Sequence, residues 1–125
     1  MTNKDIVLQF IDAYNNFDIE RMLSFVHPDI KFINISGGDV NTRINGKTEF
    51  EKLARKSLTL FKEREQKVLS FIENNNKINM NIEYSAGLAI DLPNGLKAGE
   101  KLYMPGKSEY IIKDGLIVSL TDESQ

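Results

Sequence analysis

The first half of the chain alternates between helical and strand-like spacing of its apolar positions. Ile6, Val7, Phe10, Ile11 and Tyr14 recur every three or four residues, which predicts an amphipathic helix from about Lys4 to Asn16. Thr2 or Asn3 can cap it, and Asp5 suits its positive end. Asn15-Asn16-Phe17-Asp18 breaks the pattern, and Asp18 is placed to cap a short second helix carrying Ile19, Met22, Leu23 and Val26 inward. Pro28 is expected to close that helix. Asp29 to Ile35 reads as a strand with Ile30, Phe32 and Asn34 on one face, followed by a polar loop from Gly37 to about Gly46. Phe50, Leu53, Ala54, Ser57, Leu58 and Phe61 predict a third helix over about Thr48–Arg64, with Thr48 and Glu51 as a capping box.

The second half alternates with period two. Gln66 to Glu73 reads as a strand, and Asn74-Asn75-Asn76 as a turn. Lys77 to Asp91 places Ile78, Met80, Ile82, Tyr84, Ala86, Leu88 and Ile90 on one side, with Asn79, Asn81, Glu83, Ser85 and Gly87 on the other. Glu100 to Lys113 is another long strand, with a bend or bulge expected near Pro105-Gly106. Asp114-Gly115 marks a two-residue hairpin, and Leu116 to Thr121 its return strand. Three N-terminal helices laid on one face of a curled antiparallel sheet make an α+β domain.

Composition narrows the function classes. The 125 residues suffice for one domain, taken as 1–125, with a core of its own. A net charge of −2 leaves no field to draw nucleic acid, so no nucleic-acid partner is expected. The basic residues around the third helix, Lys47, Lys52, Arg55, Lys56, Lys62, Arg64 and Lys67, interleave with Glu49, Glu51, Glu63 and Glu65 and read as a solvated face. With no cysteine and one histidine, neither a metal centre nor a thiol nucleophile is expected, and no cofactor motif stands out. The apolar runs are too short to span a bilayer and no leader pattern opens the chain, so a cytoplasmic protein without a membrane partner is expected.

Three stretches resemble a known family. Phe10-Ile11-Asp12-Ala13-Tyr14-Asn15-Asn16-Phe17-Asp18-Ile19-Glu20, Phe25-Val26-His27-Pro28-Asp29-Ile30-Lys31-Phe32 and Lys113-Asp114-Gly115-Leu116-Ile117 are similar to the nuclear-transport-factor-2-like superfamily, in its SnoaL-like and ketosteroid-isomerase-like branch. The resemblance implies a cone-shaped sheet wrapped around the helices, with a hollow end that forms a pocket. The superfamily hosts enzymes and binding proteins alike, so the fold by itself does not assign a reaction.

Aligned on Asp18 and the last hairpin, the steroid-isomerase positions depart from that family's pattern. The oxyanion tyrosine falls at Phe10, the base at Asn34 and the protonated acid at Ser108. Phe10 has no proton to give, Asn34 cannot take one, and Ser108 is a weak donor. Asn34 either orients a ligand or satisfies the backbone of the neighbouring loop. Tyr14 is read as a core aromatic at the pocket rim, and His27 as a surface or capping residue. Asp122 is read as part of an acidic tail, Thr121 to Gln125, near where SnoaL-like cyclases place a catalytic aspartate.

These readings predict a mostly apolar pocket lined by Phe10, Tyr14, Met22, Phe32, Asn34, Phe61, Met80, Tyr84, Ser108 and Tyr110, taking a small apolar or amphipathic molecule. An enzyme of isomerase, cyclase or hydrolase type with a non-standard acid–base residue is the alternative; a non-catalytic homodimeric interaction protein is a third. A buried pocket carboxyl with a raised pKa would favour the enzyme. Ile33, Ile35, Ile111, Ile117 and Tyr103 fall on the opposite strand faces, which predicts a homodimer through the outer sheet.

Overall fold

A computed structural model describes residues 1–124. The elements are α1 (Asn3–Asn15), α2 (Ile19–Ser24), β1 (Val26–Ser36), β2 (Asp39–Asn45), α3 (Lys47–Ser57), β3 (Phe61–Asn74), β4 (Lys77–Leu88), β5 (Lys101–Lys113) and β6 (Leu116–Ser124). One six-stranded sheet runs in the order β2-β1-β6-β5-β4-β3. Every neighbouring pair is antiparallel except β1 with β6, which is parallel, so the all-antiparallel expectation fails at that one seam. Among the described residues, no helix is long and apolar enough to cross a membrane.

The helix ends follow local chemistry. Thr2 caps α1 in a reciprocal box with Asp5, and the Asp18 side chain accepts from the Arg21 amide to cap α2. α2 stops at Ser24, before Pro28, which lies inside β1. The Thr48–Glu51 box does not form: α3 begins behind Gly46, whose φ of 94° needs a residue without Cβ and whose N–H reaches the Ile30 carbonyl at 2.7 Å.

α3 also ends earlier than its apolar spacing suggests. Ser57 Oγ bonds the Ala54 carbonyl at 2.6 Å and Thr59 Oγ1 bonds the Lys56 carbonyl at 2.9 Å, each offering the backbone an exit from the helix. Phe61 and Arg64 therefore belong to β3. The inward positions of that strand's first half include Arg64 and Gln66, so polarity alternation is missing from the sequence there. β2 replaces the expected Gly37–Gly46 loop. It is a largely exposed edge strand entered through Gly37 and Gly38, both at positive φ. Pro105-Gly106 causes no bulge: β5 stays in unbroken register with β4 from Lys101 to Ile111.

Paired residues line up in rows across the sheet. One inner row reads Phe71–Met80–Ser108–Asp122–Asn34, and the next reads Ile78–Tyr110–Leu120–Phe32–Ile44. Helices α1 to α3 cover this face, and Ile6, Val7, Phe10, Ile11, Met22 and Phe50 pack with Ile78, Met80 and Tyr110 into one core. A register shift between Ile111 and Ile112 turns Ile117 inward, where it is fully buried beside Val26. Ile117 is therefore a core residue, contrary to its expected place on the outer face.

Candidate functional site

Between the helices and the inner sheet face lies a cavity of about 420 Å³. Phe10 and Tyr14 enter it from α1, Met22 from α2, and Phe50, Leu53, Ala54 and Ser57 from α3. The sheet contributes Phe32, Asn34 and Ser36 from β1, Phe61 and Gln66 from β3, Ile82 and Tyr84 from β4, Met104 to Lys107 and Tyr110 from β5, and Leu120 and Asp122 to Ser124 from β6. Exposed Ser36, Pro105, Lys107 and Glu123 mark where it meets solvent. Aromatic edges and faces build its wall: Phe32 against Phe50 at 5.7 Å, Phe10 against Tyr110 at 6.0 Å, and Phe61 against Tyr84 at 6.4 Å between ring centres.

Of the ten residues expected in the pocket, Phe10, Tyr14, Met22, Phe32, Asn34, Phe61, Tyr84 and Tyr110 line this cavity. Met80 and Ser108 do not. Met80 is packed in the core at 3% exposure, and Ser108 is buried at 2%, its hydroxyl donating to Asp122 Oδ1 at 2.7 Å. Asn34 lines the cavity, and its Nδ2 donates to the side-chain Oδ1 of Asn41 on β2 at 3.0 Å rather than to loop backbone. His27 lies in β1, where Nδ1 accepts from the Asp29 amide at 3.0 Å.

The acidic tail is the main correction. Thr121 to Ser124 are part of β6, and Gln125 lies outside the described residues. Asp122 stands in the inner row between Ser108 and Asn34, the two positions that aligned with the isomerase acid and base. Its carboxyl is enclosed by protein, and the partial surface it keeps faces the cavity. Burial pushes its pKa from 3.8 up to about 6, against the opposing pull of the Ser108 hydroxyl. A signal for this was present in the chain. Leu120 and Asp122 are two apart, and a long β5 followed by a two-residue hairpin carries the return strand past Thr121.

Tyr14, Tyr84 and Tyr110 line the same cavity, each within electrostatic reach of Asp122. Tyr14 and Tyr84 share a hydrogen bond of 2.9 Å between their hydroxyl oxygens. Burial is the first cause holding both, and Tyr110, above the usual phenol pKa, so all three are proton donors rather than phenolates.

Arg64, expected on a basic surface, is instead 5% exposed behind Tyr14. Its Nε donates to the Tyr14 carbonyl at 2.8 Å, its Nη1 donates to Ser57 Oγ at 2.9 Å, and the guanidinium stacks 3.7 Å from the Tyr14 ring centre. Asn15 fastens the same corner, bonding both the amide and the carbonyl of Gln66 through its side chain.

The fold that carries this site is shared with known proteins. The model of the SnoaL-like domain family matches residues 7–120. The chain belongs to that family. Its fold is similar to IdmH from Streptomyces antibioticus, a candidate polyketide cyclase (TM-score 0.83, 15% identity, covering 100% of this chain and 93% of that one). It is similar to an NTF2-like protein from Burkholderia pseudomallei (TM-score 0.80, 18% identity, covering 100% and 92%). It is also similar to TerC, co-crystallised with polyporic acid (TM-score 0.78, 16% identity, covering 98% and 91%). No curated protein sequence matches the chain. The SnoaL-like fold expected from the three sequence stretches is thus the fold observed.

Proposed function

We propose that this SnoaL-like domain binds a small, ring-bearing, mostly apolar molecule in the cavity and turns one of its oxygens toward Asp122. The carrying observation is a largely apolar, aromatic-walled space of about 420 Å³ lined also by Asp122, Tyr14, Tyr84 and Tyr110. Flat ring systems suit the exposed aromatic faces, and the few polar groups fix orientation. Fluorescence titration with 2-naphthol tests the reading. Saturable binding to the wild type, weakened at least tenfold by Leu53→Trp, is expected, because Leu53 lines the cavity and an indole there occupies it. Equal binding to both proteins defeats it.

A catalytic role on that ligand is supported by one specific observation. A carboxyl with a pKa near 6 is ionised at neutral pH yet basic enough to take a proton from carbon beside a carbonyl. The proton would move from that carbon to Asp122, while tyrosine hydroxyls donate to the oxygen on which charge develops. Proton transfer would then run from the middle of the Ser108–Asp122–Asn34 row, without using Asn34 as the base.

We further infer a homodimer through the outer sheet. Its rows read Ile72–Asn79–Glu109–Thr121–Ile33 and Ser70–Asn81–Lys107–Glu123–Ile35, and Ile72 and Tyr103 are exposed by 67% and 69%. Pairing two such faces about a two-fold axis would cover these apolar groups and leave the polar ones as a rim. Sedimentation equilibrium across a micromolar dilution series decides it, and a species of one-chain mass throughout rules the dimer out.

A further inference from the structure

Arg64 is a buried cation with no carboxylate within ion-pair distance among the described residues. Its strand neighbours Glu63 and Glu65 are exposed, and Glu63 pairs weakly with Lys101 at 4.0 Å. The groups that do surround it are neutral: the Tyr14 carbonyl and ring, the Phe17 ring at 4.5 Å, and the Ser57 hydroxyl. One guanidinium nitrogen, Nη2, is buried without any partner among the described residues. A buried charge left in this state is costly, and an opposite charge brought nearby would offset that cost.

The route from this cation into the cavity runs through residues that line it. Tyr14 lies between the guanidinium and the cavity, and its hydroxyl meets that of Tyr84 inside. A cation against the ring face makes the phenol a stronger donor to a negative oxygen. Among the described residues, Asp122 on β6 is the one carboxyl whose charge reaches the same hydroxyls, and it opposes an anion only while ionised.

We propose that Arg64 sets the charge preference of the cavity, selecting through Tyr14 a ring-bearing organic acid that presents an anionic oxygen to the Tyr14–Tyr84 corner. This rests on the small-molecule reading above and narrows its ligand class. Arg64 acts as a specificity-determining residue without touching the ligand. A purely structural staple, holding α1 and α3 to β3, would use the same hydrogen bonds but would support neutral and anionic ligands equally.

The test compares two near-isosteric probes, 2-naphthalenesulfonate and neutral naphthalene-2-sulfonamide, by titration calorimetry at pH 5, where Asp122 is mostly protonated. The wild type is expected to bind the sulfonate at least tenfold tighter. Arg64→Gln is expected to lose that preference while keeping its affinity for the sulfonamide, and Arg64→Lys is expected to retain it. Should Arg64→Gln not fold, Tyr14→Phe supplies the second arm, because it removes the hydroxyl that carries the effect and should cut the preference severalfold. Equal binding of both probes by the wild type, or a preference that survives Arg64→Gln (or Tyr14→Phe where Arg64→Gln does not fold), overturns the proposal while leaving the small-molecule reading intact. Binding of neither probe overturns both.

Discussion

Replacing Asp122 by asparagine should make the protein more stable at neutral pH and change it little in acid. The fold raises the Asp122 pKa from 3.8 to about 6, so it favours the protonated carboxyl over the carboxylate. Below the unfolded pKa both states hold the proton and the group is neutral in its effect. Between 3.8 and about 6 the unfolded carboxyl ionises while the native one still holds its proton, so stability is lost across that window and levels off above it. At ~1.4 kcal/mol per pKa unit, the shift corresponds to about 2–3 kcal/mol at pH 8, the lower figure applying where cavity water keeps part of the solvation. Asparagine is nearly the same shape, carries no charge and can still accept from the Ser108 hydroxyl. Urea denaturation of both proteins from pH 4 to pH 8 measures this. The expected stability difference is about 0.5 kcal/mol at pH 4 and about 2–3 kcal/mol in favour of the Asp122→Asn variant at pH 8, or roughly 10 °C in Tm. A variant less stable than the wild type at pH 8, or a difference independent of pH, would refute the assignment of Asp122 as a desolvated carboxyl.

Other perturbations test the walls around it. Gly106→Ala should cost about 1–3 kcal/mol in denaturant unfolding, because a Cβ would stand 3.1 Å from the Glu123 carbonyl oxygen and 3.3 Å from Ile82. Asn15→Ala should cost about 1–2 kcal/mol and speed hydrogen exchange at the Gln66 amide, which loses its acceptor. Asn34→Asp should raise the Asp122 titration midpoint measured by carboxyl NMR, since the two residues are register partners and like charges there resist joint ionisation.

The sequence was most informative where side-chain polarity followed burial. β4 keeps strict alternation because its inner face is apolar from Ile78 to Ile82, and α1 announces itself through Thr2, Asp5 and a clean apolar face. Legibility failed where inward positions are polar. Arg64 and Gln66 hid the first half of β3 inside an apparent helix, and Asp122 hid the last residues of β6 inside an apparent tail. These same inward polar groups line or back the cavity, so the features that break the pattern are the ones that give the site its chemistry. The parallel seam between β1 and β6 was also invisible, because strand order is fixed by tertiary packing and not by local spacing.

The chemistry proposed for the cavity depends on Asp122 being a carboxyl that answers to a bound molecule. Carbon-detected NMR of the Asp122 side-chain carboxyl, titrated from pH 3 to pH 9 with and without 2-naphthol, tests this directly. The predicted result is a midpoint near 6 in the free protein and a displaced midpoint when the ligand is present. A midpoint near 3.8, unchanged by ligand, would contradict it.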